Sequence, residues 1–455
     1  MTASKAWTRR EFLHGSLITA GALSARSALG VLAGSTAAMA APAADYRALV
    51  CIFLAGGNDG FNLLVPTDPA RYATYAASRR NLALPAEKLL PLGGLLEPNQ
   101  NYGLHPATDG LQDLFNSGRL AFVVNAGPLL KPTSKKDYLN EVMLPPQLYS
   151  HNDQSDQWMS SQADAKQPVG WGGLLADKLT RLNGTSPLPL GVSVAGNNLF
   201  QTGLVKVPFI ANTDGVDRLS VISDDPRDKR SNLFKKILDT AALSGRLLQK
   251  EYAKTIKSSL DLQSTLNDAL RDAIIGSGPW PNNWLSAQLQ MVAKFISLRQ
   301  TLGMSRQVFF VTLGGWDTHD DQLDRHAELL EQLSSSLASF HAAMDELGVG
   351  NAVTSFTLSD FGRTLTSNGD GTDHAWGNIH CVAGGSVAGG KLYGAFPDLT
   401  LDGPDDAGYG RLIPTTSVEQ YAATLARWFG VSDSVLPDLF PHLSRFPVQN
   451  LGFMG

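Results

Sequence analysis

Apolar residues form continuous runs of strand length at several places along the chain. The first run, Ala48 to Ala55, ends in a glycine-rich turn, and similar runs cover Leu120 to Ala126, Gln307 to Leu313 and Ala352 to Leu358. Short apolar runs bounded by turn residues are typical of strands that are buried on both faces. The pattern therefore predicts a mainly parallel central sheet.

Helical spacing separates these runs. Between the last two, apolar residues recur at alternating intervals of three and four up to Gly348: Leu330, Leu333, Leu337, Phe340, Met344 and Leu347. A strand, a helix and a further strand predict a βαβ unit. Residues 231–302 also show helical spacing and predict a helical insertion. We therefore expect an α/β fold with helices on both faces of the sheet.

The N-terminal residues have the pattern of an export signal. Arg9 and Arg10 precede a mildly apolar stretch, Leu17 to Leu32, and small residues follow it up to Ala40. The pair of arginines and the apolar residues after them resemble the twin-arginine motif. The stretch contains Arg26 and falls short of the about 20 apolar residues that a membrane span needs.

We therefore predict that residues 1–40 are a twin-arginine signal peptide that the export machinery recognises and that is later removed. The mature domain, residues 41–455, is then expected in the periplasm or otherwise exported, without a membrane span.

Charge and cysteine content narrow the function further. The net charge is −5 and the isoelectric point is near 6.0, with no run of lysine and arginine, so nucleic-acid binding is disfavoured.

Cys51 and Cys381 both lie in runs that predict buried strands. We expect buried free thiols there, although a disulfide is open if the two strands are neighbours.

Ionisable residues follow the predicted strands where each strand ends. They are Asp59 after the first run, Asp317 and His319 after the third, Asp360 after the fourth, and His374 in a later glycine-rich loop. Because the carboxyl ends of parallel strands line one crevice, these side chains are expected to converge there. Converging carboxylates repel one another unless a divalent cation holds them. A mixed aspartate and histidine set favours Zn²⁺ or Mn²⁺ over Mg²⁺ or Ca²⁺.

Each of these residues also has a purely structural interpretation. Asp59 could cap a helix or close a turn, Asp317 or Thr318 could cap a helix that begins near Asp320, Asp360 could pair with Arg363, and His374 could bond only to backbone. The metal hypothesis depends on the residues occurring together.

Several motifs resemble the DUF1501 family over essentially the whole mature chain. They are Ala55–Gly60, Gly315–His319, Ser359–Thr364, Thr372–Asn378, Gly384–Gly385 and Ser417–Trp428. The resemblance implies an alkaline-phosphatase-like three-layer sandwich with metal ions at the carboxyl edge of its sheet. Asp59, Asp317, His319, Asp360 and His374 would be the metal ligands.

The same resemblance implies an exported, metal-dependent hydrolase of phosphate or sulfate esters, acting on a small molecule or a polymer. Ser150, before His151 at a predicted helix start, is the preferred nucleophile, with Ser155 or water as alternatives. Arg363 or His151 would stabilise developing charge. Phe361 stands where the superfamily often has histidine, which puts one metal position in question. The alternative function is a catalytically silent binding or export-accessory protein that keeps the fold.

Overall fold

The computed structural model describes residues 45–94, 100–223 and 225–455. The predicted signal peptide lies outside the described residues. The strands are β1 Arg47–Ala55, β2 Leu64–Pro66, β3 Leu90–Pro91, β4 Tyr102–Leu104, β5 Leu120–Gly127, β6 Gly191–Ser193, β7 Phe209–Ile210, β8 Arg306–Gly314, β9 Val353–Ser359, β10 Arg363–Ser367, β11 Thr372–His374, β12 Asn378–Gly384, β13 Leu392–Tyr393 and β14 Thr416–Ser417.

The helices are α1 Gly60–Leu63, α2 Pro69–Arg79, α3 Asp109–Asn116, α4 Lys135–Leu139, α5 His151–Ser160, α6 Trp171–Leu179, α7 Lys229–Ala242, α8 Leu247–Asp272, α9 Trp284–Ser297, α10 Gln322–Glu346, α11 Val418–Phe429 and α12 Leu436–Leu439.

A large sheet forms the centre of the fold. Its strand order is β13-β5-β12-β9-β1-β8-β6-β7, with β14 also paired to β5. Strand β1 runs parallel to both β8 and β9, whereas β12 is antiparallel to its neighbours β9 and β5. The predicted buried runs are confirmed as β1, β5, β8 and β9, and the sheet is mainly parallel as expected.

Successive strand residues point to opposite faces of the sheet. Both faces are buried along the central strands, and helices cover each of them. Cys51 and Phe53 face a core shared with α5, α6 and α11. On the other face, the ring centroid of Phe309 lies 6.4 Å from that of Phe295 in α9. The predicted α/β class with helices on both faces is confirmed.

Helix α10 is the predicted crossover between β8 and β9. Its stripe from Leu330 to Met344 is buried, and the chain turns after it at Gly348, which has a φ of 67°. The helix begins at Gln322 with Asp321 as its N-cap. The interpretation of Asp317 or Thr318 as the cap is therefore wrong, because four or three residues separate them from the helix start.

The described residues divide into two compact units. The smaller contains residues 185–187, 215–223 and 225–272, and the larger contains the central sheet. Within the smaller unit, helices α7 and α8 lie against each other, and Lys257 forms an ion pair with Asp239.

The sequence assigned residues 231–302 to one helical insertion, but α9 belongs to the larger unit. Gln288 of α9 explains this placement, since its side chain bonds to both the N–H and the C=O of Thr312 in β8.

Two further expectations concern cysteines and membrane spans. Cys51 and Cys381 are buried free thiols, as expected, and β9 separates their strands in the sheet. No helix in the described part of the chain combines the length and the apolar character that crossing a bilayer requires.

Candidate metal centre

The ends of three parallel strands lie side by side at one edge of the large sheet. In register, Ala55 of β1 lies opposite Gly314 of β8, and Leu54 lies opposite Ser359 of β9. The loops that follow carry the motifs singled out in the sequence. Gly56, with φ of 121°, allows the close approach of two of them, because a Cβ there would lie 2.4 Å from the amide nitrogen of Asp317.

Three side chains form the core of the site. One ligand atom from each of His151, Asp317 and His374 lies within 4.8 Å of the others. Nε2 of His151 is 3.5 Å from Oδ2 of Asp317, and Nε2 of His374 is 3.4 Å from Oδ1 of the same carboxylate. We call this group the metal centre. Two imidazoles and a carboxylate that face one another are the donors that zinc and manganese prefer.

The remaining ring nitrogens of the two imidazoles are already engaged. Nδ1 of His151 lies 2.6 Å from Oδ2 of Asp360, and Nδ1 of His374 lies 2.9 Å from the carbonyl oxygen of Tyr149. Both partners accept hydrogen bonds, so each Nδ1 carries the proton. In the neutral rings the lone pairs are then on the Nε2 atoms, which face Asp317.

His319 extends the group on its exposed side. Its Nε2 is 3.0 Å from Oδ1 of Asp317 and 3.0 Å from Nε2 of His374. Its Nδ1 lies 3.3 Å from Oδ1 of Asp373, so a carboxylate orients this imidazole as Asp360 orients His151. All three imidazoles thus direct Nε2 toward Asp317.

Arg363 keeps Asp317 ionised. Burial opposes ionisation of this carboxyl, but the pKa of Asp317 is lowered, and the hydrogen bond and charge of Arg363 are the largest of the causes that lower it. Burial lowers the pKa of Arg363, and its contact with Asp317 opposes that shift. For His374, burial lowers the pKa, which favours the neutral ring that a metal ion requires.

Four of the five N–H groups of Arg363 have partners within the described residues. Its Nη1 donates to Oδ1 of Asp317 at 2.8 Å and to the carbonyl of Gly56, while Nε and Nη2 bond to Thr372. The side chain is buried. Arg363 therefore positions Asp317, and it does not pair with Asp360, whose oxygens meet His151 and the amide of Gly56.

Phe361 closes one side of the metal centre. Its ring is stacked on His374, with centroids 4.5 Å apart and planes 29° apart, and its centroid lies 4.7 Å from that of His151. The ring is fully buried. An apolar ring thus occupies the position where the resemblance suggested a second histidine.

Asp59 lies in a different environment from the other predicted ligands. Its carboxylate caps α1 by accepting from the amide of Asn62 at 3.2 Å, and it forms a buried ion pair with Arg79. It also accepts a 2.5 Å hydrogen bond from Nε2 of Gln322. The structure does not bring Asp59 into the group of ligand atoms around Asp317. The helix-cap interpretation of Asp59 is confirmed.

Ser150 is the N-cap residue of α5, directly before His151. Its hydroxyl donates to Oδ2 of Asp153 at 2.6 Å. Tyr149, with φ of 72°, turns the chain sharply into the helix and places its carbonyl against His374. Ser155 lies one turn further along α5.

Sequence reasoning missed two members of this arrangement. The carbonyl of Tyr149 has no side-chain signal that could have revealed it. Asp373 lies beside His374 in the chain and pairs with the neighbouring imidazole of His319. The adjacency of aspartate and histidine in this motif was the available signal.

A family model described as "Protein of unknown function (DUF1501)" matches residues 46–437. No curated protein is detectably similar to the chain in sequence. Solved structures with distant overall similarity include the lipoteichoic acid synthase LtaP from Listeria monocytogenes, with 8% identity, a TM-score of 0.35, and 90% of this chain and 79% of that chain covered.

Two further structures give similar values. For the sulfatase PsFucS1 from Pseudoalteromonas sp., identity is 10%, the TM-score is 0.36, and coverage is 90% of this chain and 71% of that chain. For the soluble domain of lipooligosaccharide phosphoethanolamine transferase A from Neisseria meningitidis, identity is 9%, the TM-score is 0.29, and coverage is 86% of this chain and 90% of that chain. None of these distant similarities assigns a reaction to the present chain.

Proposed function

The chain belongs to the DUF1501 family, and on that premise we propose that it hydrolyses phosphate or sulfate esters with a divalent cation bound at the metal centre. The observation that carries the proposal is the convergence of the Nε2 atoms of His151 and His374 on the Asp317 carboxylate. Both Nδ1 atoms are engaged in hydrogen bonds on the opposite side of each ring.

The donor set fits a transition-metal ion. Neutral imidazole nitrogens with a single carboxylate suit Zn²⁺ or Mn²⁺ better than Mg²⁺ or Ca²⁺, which prefer shells of oxygen. His319 supplies a further imidazole on the exposed side. Phe361 fills one flank with an apolar ring, which favours a site for one cation over a site for two.

Asp360 and Asp59 have other roles in this proposal. Asp360 orients His151 through Nδ1, as carboxylates commonly do for metal-binding histidines. Asp59 neutralises Arg79 in the interior.

A bound divalent cation would polarise the transferring group and lower the pKa of a hydroxyl or water nucleophile. The first amides of α5 have no carbonyl partner within the helix, and they favour the negative charge of a phosphoryl or sulfuryl group. Ser150 lies at this helix start, and Asp153 is placed to accept its proton as the oxygen attacks. Because Arg363 is buried and four of its five N–H groups are engaged, the α5 amides rather than Arg363 would stabilise the developing charge.

Elemental analysis of protein purified without added chelator tests whether the metal centre binds a divalent cation. We expect about one equivalent of Zn²⁺ or Mn²⁺, lost in Asp317→Asn and kept in the control Asp320→Asn, since Asp320 forms an exposed ion pair with Arg325. Protein free of metal after loading with either ion would contradict the assignment.

Assays with activated aryl phosphates and aryl sulfates test whether the protein hydrolyses either class of ester. We expect turnover by the metal-loaded protein that a chelator abolishes, with the circular dichroism spectrum unchanged. A fully metallated protein that cleaves neither ester would favour the silent binding protein instead.

A further inference from the structure

A second opening lies along the first turns of α5, the helix that begins with His151. It has a volume of about 460 Å³ and is walled by the ends of β1 and β8, one face of α5, and residues 195–199 after β6. We call it the lateral pocket. Its volume falls within the range of about 300–1,000 Å³ that is typical of small-molecule sites.

The inner wall of the lateral pocket is apolar. Phe53 of β1 and Phe310 of β8 are stacked, with ring centroids 6.2 Å apart and planes 27° apart. Met159 of α5 and Leu199 of the loop after β6 also line it, and both are half-buried. Such a wall suits the flat apolar face of a ring better than a strongly hydrated group.

Polar side chains with unused hydrogen-bonding groups line the same pocket. Asn152, Ser155 and Asn197 line it, and within residues 45–94, 100–223 and 225–455 their side chains form no hydrogen bond. Asn198 differs, because it accepts from the amide of Gln201 at 2.9 Å and so fixes its own loop. The free amides each offer two donors and an acceptor, which match neighbouring hydroxyl groups on a ligand.

The charges in the lateral pocket cancel. Asp156 and Lys166 are its charged lining residues, and their side chains form an ion pair at 3.3 Å. The lining of the pocket therefore carries no net charge. An apolar wall, unpaired amides and a neutralised ion pair together favour an uncharged ligand that has both an apolar face and several hydroxyl groups.

We propose that the lateral pocket binds an uncharged hydroxylated ring, such as a sugar ring, as the part of the substrate that carries the ester. This rests on the proposed function, because the ester itself would lie at the metal centre. Asn152 is the residue after His151, so their Cα atoms are about 3.8 Å apart. Ala55 precedes Gly56, whose amide bonds to Asp360. The lateral pocket and the metal centre therefore share the start of α5 and the end of β1, and in this proposal a substituent on the ring extends from one to the other.

Binding of unreactive glycosides tests the proposal without requiring turnover. The probes are methyl α-glucopyranoside, methyl α-galactopyranoside and methyl α-mannopyranoside, observed by saturation-transfer NMR on the full chain. We expect at least one to bind, with at least a tenfold weaker Kd in Asn197→Ala. Asn197→Asp, which keeps the shape of the side chain and loses its donors, is expected to weaken binding as well.

Asn351→Ala is the matched control. Asn351 is also exposed and lines a cavity of similar volume, about 450 Å³, which lies beside Arg47 at the start of β1. Binding that Asn351→Ala weakens, or that both Asn197 variants leave unchanged, would overturn the proposal. Ala195→Phe, which fills the lateral pocket, is expected to abolish binding.

The outcomes separate this proposal from the proposed function. Aryl-ester turnover without binding of any probe would overturn the lateral pocket as a sugar site and leave the metal-dependent hydrolase intact. Probe binding that depends on Asn197, without turnover of any ester, would keep the ring site and overturn the hydrolase. If both hold, a sugar phosphate or sulfate should show a lower KM than the aryl ester, and Asn197→Ala should remove that difference.

Discussion

Nδ1 of His151 and Oδ2 of Asp360 lie 2.6 Å apart, and this contact fixes which nitrogen of His151 faces Asp317. We predict that Asp360→Asn weakens metal affinity by about 10- to 100-fold, since loss of a carboxylate behind a ligating histidine has effects of this size. Competition with a chromogenic chelator measures the affinity. A variant with unchanged affinity would show that Asp360 does not orient a ligand.

Asp59 provides the contrasting case. Its carboxylate and the Arg79 guanidinium form an ion pair, and both side chains are fully buried. Asp59→Ala leaves Arg79 charged and unpaired in the interior, so we predict a loss of about 3–5 kcal/mol in the free energy of unfolding. Urea denaturation measures this loss, and the metal content of the folded fraction is expected to stay unchanged. Loss of metal without loss of stability would show that Asp59 is a metal ligand.

The sequence treats Asp59 and Asp317 alike, because both follow a buried strand and a pair of glycines. Their environments differ through residues far away in the chain. Arg79 at the end of α2 reaches Asp59, whereas Arg363 and the hairpin of β10 and β11 bring His374 to Asp317. The strand ends and the crevice between them were predictable from periodicity. Whether a given carboxylate faces the metal centre or forms a buried ion pair depends on these distant partners.

The same reasoning explains which parts of the fold were predictable. Apolar runs are enough to locate β1 and β8, because burial on both faces leaves a continuous signal. Helix α9 shows the same periodicity as the helices before it, and its contacts with β8 through Gln288 and Phe295 place it in the larger unit. Periodicity reports one buried face and does not report which element covers it.

Buried histidines predict a characteristic loss of stability in acid. Burial lowers the pKa of His380 from 6.5 to about 3, and its ring lies against Trp158, with centroids 4.4 Å apart. Because the pKa is depressed in the folded state, the stabilising contribution is complete above pH 6.5. It is lost as pH falls from 6.5 toward 3, by about 1.4 kcal/mol per pH unit.

The variant His380→Phe tests this slope. Within the described residues Nε2 of His380 has no hydrogen-bond partner, and Nδ1 makes a long contact of 3.3 Å with the Thr357 hydroxyl, so an apolar ring of similar size is expected to fit with the loss of that one contact. Urea denaturation between pH 7 and pH 4 should show a slope shallower by about 1.4 kcal/mol per pH unit than that of the unsubstituted protein. Phe356→Leu, a core substitution without a titrating group, should lower stability and leave the slope unchanged. Equal slopes in His380→Phe and the unsubstituted protein would contradict the assignment.

Export is predicted from Arg9 and Arg10. Replacing both by lysine keeps the charge and removes the planar guanidinium groups, so we expect periplasmic accumulation to fall if the twin-arginine receptor reads them. Cell fractionation with an antibody against the mature chain measures this. Sequencing the N-terminus of the exported protein checks cleavage after Ala40. Unchanged accumulation of the double-lysine variant would exclude this route.

Ser150 and Ser155 both lie near the start of α5, and we predict that Ser150 is the nucleophile. Ser150 directly precedes His151 and donates to Asp153, whereas Ser155 lines the lateral pocket. Ser150→Ala is therefore expected to lower kcat roughly 10³-fold or more with the metal content unchanged, because a nucleophile contributes to the transition state and not to coordination. Ser155→Ala is expected to raise KM for a ring-bearing ester and to keep kcat. Steady-state kinetics on one aryl ester and one sugar ester separate the two effects. A loss of kcat in Ser155→Ala alone would move the nucleophile to that residue, and full kcat in both variants would assign the attack to water.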